Sequence, residues 1–187
     1  MKNIATFALV GILVLGGVLL FGSRQGPEEA AGVMLPDLTL KSFEGEEVVL
    51  RELVGTPLVV NSWAVWCPFC KAELEDFAKL QEEFGDEITV VAIDRQETLL
   101  KAKGFTDEIG VTERMTFLLD PKDAFYKGIG GFSMPETIFA DAEGNIIVHK
   151  RGPMALDEMR QKVNSIAGKG LSSRNEVERG ETLRSDE

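Results

Sequence analysis

The chain contains two cysteines, Cys67 and Cys70, separated by Pro68 and Phe69. Thiols at that spacing can close a disulfide with each other and reopen it. A bridge over so short a loop takes little entropy from the unfolded chain, so stability is a poor reason for it. A structural framework would need more cysteines at wider spacings. A metal site would need two further soft ligands. The chain has one histidine, His149, far along the sequence on an expected strand. A second chain completing a two-cysteine metal site is the remaining metal alternative. The chemistry that fits is thiol–disulfide exchange, with no cofactor and no metal.

The flanking residues show how the pair is held. Leu58 to Trp63 is an apolar, β-branched run without alternation, the mark of a strand covered on both faces. Pro68 to Phe84 has helical period, with Phe69, Leu74, Phe77, Leu80 and Phe84 on one side. Pro68 suits a first helical turn, where its missing N–H costs nothing. Cys67 is thus expected near the N-terminus of a helix. Unpaired N–H groups and the helix dipole would hold its thiolate and lower its pKa below about 8.5. Cys70 follows one turn later and more enclosed. Cys67 therefore attacks a partner disulfide, and Cys70 resolves the mixed disulfide.

Further elements must frame this turn. Ile88 to Ile93 is a second buried strand, so the helix between two apolar strands predicts a parallel βαβ unit. A second helix is expected over Glu97–Ile109, a short strand at Phe117–Leu119 and a helical turn over Pro121–Tyr126. Thr137–Ala140 and Ile146–Lys150 read as a hairpin, and Leu156–Ala167 as the last helix. Upstream, Met34–Leu40 and Val48–Leu50 predict an N-terminal hairpin. The fold class is α/β, with one domain over residues 34–167.

The ends differ from the domain. Residues 4–22 are apolar and uncharged, long enough for a hydrocarbon core of about 30 Å. Residues 1–24 are read as a single-pass transmembrane anchor, with a cleaved signal peptide as the alternative. Lys2 and the α-amino group against Arg24 favour a cytoplasmic N-terminus and an extracytoplasmic domain. Residues 25–33 form a linker, and 168–187 a disordered polar tail. The lipid bilayer is the partner expected for residues 4–22. A net charge of −11 leaves no basic stripe for phosphates and excludes nucleic acid as a partner.

The stretch Val60-Asn61-Ser62-Trp63-Ala64-Val65-Trp66-Cys67-Pro68-Phe69-Cys70-Lys71-Ala72-Glu73 closely resembles the extracytoplasmic proteins of the TlpA, ResA and DsbE group. The resemblance runs from about Met34 to Ala167. It implies a thioredoxin-like fold, a central mixed sheet flanked by helices with an N-terminal β-hairpin added. The implied activity is thiol-disulfide oxidoreduction, often keeping the haem-binding cysteines of apocytochrome c reduced. A transmembrane thiol carrier would be the electron donor. Gly130-Gly131-Phe132-Ser133-Met134-Pro135-Glu136-Thr137 matches the family's cis-proline segment and maps that proline onto Pro135. Main chain at Met134 would then face Cys67 and pair with an extended substrate. Pro-Glu-Thr is most like the DsbE branch.

The resemblance also marks Glu73, where a related reductase branch carries a functional glutamate. A buried Glu73 would exchange protons with the cysteines; a surface carboxylate is the plain alternative. Asn61 stands where cytoplasmic thioredoxins keep an aspartate, and Glu75 where the family often bends this helix with a proline. Trp63 is expected in the core. Trp66 and Phe69, with Phe132 and Met134, are expected to form an apolar surface for substrate. The leading function is a reductant of extracytoplasmic protein disulfides. A disulfide-introducing oxidase and a redox-switched binding module are the alternatives.

Overall fold

The structure, a computed structural model, describes residues 33–167. In chain order its strands are β1 (Val33–Met34), β2 (Thr39–Ser42), β3 (Glu47–Val49), β4 (Leu58–Trp63), β5 (Thr89–Arg95), β6 (Thr116–Asp120), β7 (Glu136–Ala140) and β8 (Asn145–Arg151). The α-helices are α1 (Cys70–Phe84), α2 (Leu99–Glu108), α3 (Ala124–Gly128) and α4 (Leu156–Ile166).

All eight strands join one mixed sheet in the order β1-β8-β7-β4-β5-β6-β2-β3. β4, β5 and β6 are parallel, and every other pairing is antiparallel. The expected βαβ unit is β4–α1–β5. The β2–β3 hairpin is added at one edge through β6. This is the thioredoxin-like fold that the resemblance implies.

Burial explains the central strand. β4 is buried at every position. Leu58 and Val60 enter a core with Val91, Ile93, Leu118, Phe125 and Ile138. Val59 enters the opposite core, where Phe77, Leu80 and Phe84 of α1 meet Met159, Val163 and Ile166 of α4. α2 closes the same face further along, with Ala102 and Phe105 beside Trp63. α1 runs as one helix through Glu75.

The membrane placement expected from the N-terminal run is corrected. No helix among the described residues is long and apolar enough to cross a membrane. Residues 4–22 themselves lie outside the described residues, as do residues 168–187. The single-pass anchor and the extracytoplasmic location are therefore not carried forward.

Candidate active site

β4 and β5 are parallel and end together, Trp63 opposite Asp94. β7 runs antiparallel to β4 and begins there, Glu136 opposite Ser62. The segment after β4 and the segment before β7 therefore meet at one end of the sheet, where loops can hold chemistry on a rigid base.

The first segment carries the cysteines. The Cys67 N–H donates to the Ala64 carbonyl at 3.1 Å, and the Cys70 N–H to the Cys67 carbonyl at 3.3 Å. α1 opens at Cys70. Residues 65–69 are thus a turn ahead of the helix, and Cys67 stands in that turn with its own N–H already bonded. The sequence-based start at Pro68 came too early because these bonds take the place of a first helical turn. Cys67 and Cys70 form a disulfide with their Cα atoms 5.4 Å apart. Cys67 is 3 % exposed and Cys70 0 %, so the remaining access belongs to Cys67. Trp63 lies beneath as core, stacked on Phe105 and edge-on to Phe117.

The second segment forms the opposing wall. The Met134–Pro135 bond is cis. Met134 is half-buried and packs against the cluster containing Cys67, Cys70 and Leu74. A buried side chain fixes this loop from below. Glu136 Oε1 accepts the Phe132 and Ser133 N–H groups at 2.7 and 2.6 Å. Glu136 Oε2 meets His149 Nε2 at 2.6 Å. His149 is therefore no plain surface residue: its side chain is 8 % exposed and tied to the loop's anchor. From the side, the Tyr126 hydroxyl donates to the Ser133 carbonyl at 2.8 Å. Arg95 lies 3.4 Å over the Tyr126 ring and pairs with Asp123 through two bonds of 2.7 Å.

Glu73 resolves to the buried alternative, at 2 % exposure. Its helical position turns it toward the sheet. Oε1 accepts the Met154 N–H at 3.1 Å and Oε2 accepts from Asn61 Nδ2 at 3.2 Å. Asn61 also donates to Thr137 Oγ1 at 3.0 Å, while its Oδ1 has no hydrogen-bond donor. Burial pushes the Glu73 pKa up to about 8, against the opposing pull of those two hydrogen bonds. A carboxyl that keeps its proton near neutrality thus sits one turn beyond Cys70.

The surface around the pair is apolar. Trp66, Phe69 and Phe132 are 60, 55 and 76 % exposed. Arg151 lies over the Phe132 ring at 4.8 Å. Met134 differs from these three because it is half-buried against the cluster that contains the two cysteines. Sequence reasoning missed the His149 and Tyr126 supports and Glu97, whose Oε2 accepts the Val65 N–H at 2.8 Å. Only Glu136 had a signal, its place directly after the mapped proline.

Known proteins share this architecture. The profile described as the AhpC/TSA family matches residues 31–149. Thioredoxin-like protein YneN of Bacillus subtilis is 32 % identical over 138 residues, covering 71 % of this chain and 78 % of that protein. Thiol-disulfide oxidoreductase ResA of Bacillus cereus is 23 % identical over 171 residues, covering 88 % and 98 %. The structure of MTB dsbF, in mixed oxidised and reduced forms, superimposes with a TM-score of 0.64 at 25 % identity, covering 70 % of this chain and 95 % of that one.

Proposed function

Because the chain belongs to the AhpC/TSA family and to the ResA/DsbE/TlpA-like thiol-disulfide oxidoreductases, with a redox-active cysteine pair, we propose that it reduces disulfides in protein substrates, apocytochrome c among them.

The observation that carries the direction is the charge around the site. A strongly oxidising pair draws its power from a stabilised thiolate, which calls for positive or donor groups at the attacking sulfur. Here the side chain bonded to the turn that carries Cys67 is a carboxyl, Glu97 at Val65, while the basic groups His149 and Arg151 sit by the facing segment, on Glu136 and Phe132. A carboxyl at that turn disfavours the Cys67 thiolate and so favours giving electrons away.

In the proposed cycle, Cys67 thiolate attacks one sulfur of the substrate disulfide. A Cys67–substrate bond forms, the substrate disulfide breaks and the leaving thiolate takes up a proton. Cys70 then loses its proton to the ionised form of Glu73 and attacks Cys67 Sγ. The Cys67–Cys70 bond forms and the second substrate thiolate leaves. Two electrons pass to the substrate. When a donor dithiol reopens the pair, neutral Glu73 returns the proton to Cys70. A pKa near the working pH serves both directions. Trp66, Phe69 and Phe132 give the substrate an apolar footing, and the main chain at Met134 and Pro135 forms the facing wall.

Equilibration of the pair with glutathione tests the direction. A potential well below that of strong oxidants, which lie near about −120 mV, is expected. A value at that level would overturn the reductant reading and favour the oxidase. Cys70→Ser should trap oxidised apocytochrome c on Cys67 as a mixed disulfide; failure to trap it removes that substrate.

A further inference from the structure

One buried acid near the pair has no part in this cycle. Asp94 ends the buried stretch of β5 and is 0 % exposed. Its Oδ2 accepts the Glu97 N–H at 3.0 Å, and its Oδ1 has no hydrogen-bond donor. Its carboxyl also lies within hydrogen-bonding reach of the Glu97 carboxyl. Two carboxyl groups can bond only through a proton, and two carboxylates in contact repel. The pair is therefore stable with one proton between its members.

Glu97 passes this constraint to the active site. Its side chain is 5 % exposed and pairs with Lys101 of α2 through Oε1. Through Oε2 it holds the Val65 N–H, at the head of the turn that carries Trp66 and Cys67. We propose that Asp94 and Glu97 are positioning residues for thiol–disulfide exchange: their shared proton keeps Glu97 on Val65, and its loss loosens the turn that presents Cys67. This rests on the exchange reading above.

The surroundings fit a single transition. The charged groups acting on Asp94 are Glu97 and Lys101. Its neighbours in register on β4 and β6, Trp63 and Leu119, do not titrate. Burial first, and then Glu97, push the Asp94 pKa up to about 8.

Asp94→Asn tests the idea, since an amide still accepts the Glu97 N–H and donates to the Glu97 carboxylate without titrating. The readout is hydrogen exchange of the Val65 amide in the oxidised protein, which needs no substrate. In the wild type, exchange beyond the ordinary base-catalysed rise should grow about tenfold per pH unit up to the transition and then level off. Asp94→Asn should abolish that excess, and Glu73→Gln should keep it. If Asp94→Asn does not fold, Glu97→Gln should abolish the excess in its place. Identical Val65 profiles in the wild type and the folded variant would overturn the proposal. A separate measurement, exchange of the reduced proteins with a small aromatic disulfide, reports on the chemistry itself. A wild type with no pH-dependent excess at Val65 but normal thiol–disulfide exchange rejects the positioning role alone, whereas absent thiol–disulfide exchange with the wild-type Val65 excess present and abolished by Asp94→Asn rejects the reductant reading alone.

Discussion

Replacing Glu73 by Gln should make the protein's stability less dependent on pH, by an amount the structure sets. Glu73 is 2 % exposed, and burial raises its pKa from 4.5 to about 8. Between those values the carboxyl is neutral in the folded protein and ionised in the unfolded chain. The unfolded state then binds fewer protons, so stability falls as pH rises through this window. The contribution is fully present below about pH 4.5 and gone above about pH 8. The slope in mid-window is ~1.4 kcal/mol per pH unit. Gln keeps an oxygen for the Met154 N–H, and its amide can meet the unpartnered Asn61 Oδ1 if the Asn61 amide turns over. Urea unfolding of both oxidised proteins at pH 5.5 and 7.5 should show the wild type losing about 2.5 kcal/mol relative to the variant. Asp94 titrates in both proteins, so the difference isolates Glu73. Parallel pH dependence would refute both the buried neutral carboxyl and its assignment as proton carrier.

Four further outcomes follow from the geometry. Tyr126→Phe removes the hydroxyl from the Ser133 carbonyl and should cost about 1 kcal/mol of stability, with a rise in KM for a protein substrate as the loop loosens. Gly131→Ala is more severe, because its Cβ would lie 2.5 Å from the Tyr126 ring; about 1–3 kcal/mol should be lost in denaturant melts. Trp66→Ala should leave the unfolding midpoint unchanged while lowering kcat/KM for protein substrates more than for a small disulfide, since the side chain is largely exposed. Phe77→Ala, in the core between α1 and α4, should cost about 3–5 kcal/mol without changing the pair's potential.

Local patterns carried most of the fold. The unalternating run at Leu58–Trp63, the helical period after it and the next β-branched run were enough for the βαβ unit, because full burial leaves a signature along the chain. The redox pair was legible for the same reason: its residues are adjacent in sequence. Pro135 was reached only through resemblance, since nothing local joins it to cysteines so far upstream. The loop supports were harder still. His149 and Tyr126 act through partners on other strands and loops, and their meeting depends on sheet order. The burial of Glu73 depended on which side of α1 faces the sheet, where acidic neighbours at Glu75 and Asp76 obscured the period. The exact helix start was missed because a turn closed by main-chain bonds has no compositional mark. The apolar run at residues 4–22 lies outside the described residues, among which no helix is long and apolar enough to cross a membrane.

The margins of the sheet carry a consequence for behaviour in concentrated solution. Its terminal strands are β1, two residues long, and β3, three residues long. An added strand could form only a few main-chain bonds at either margin, and β3 begins on an exposed glutamate. Copies of the domain therefore have little means of joining margin to margin into polymers. A protein that, on the function proposed above, receives oxidised chains is thus poorly built to become the seed on which they deposit.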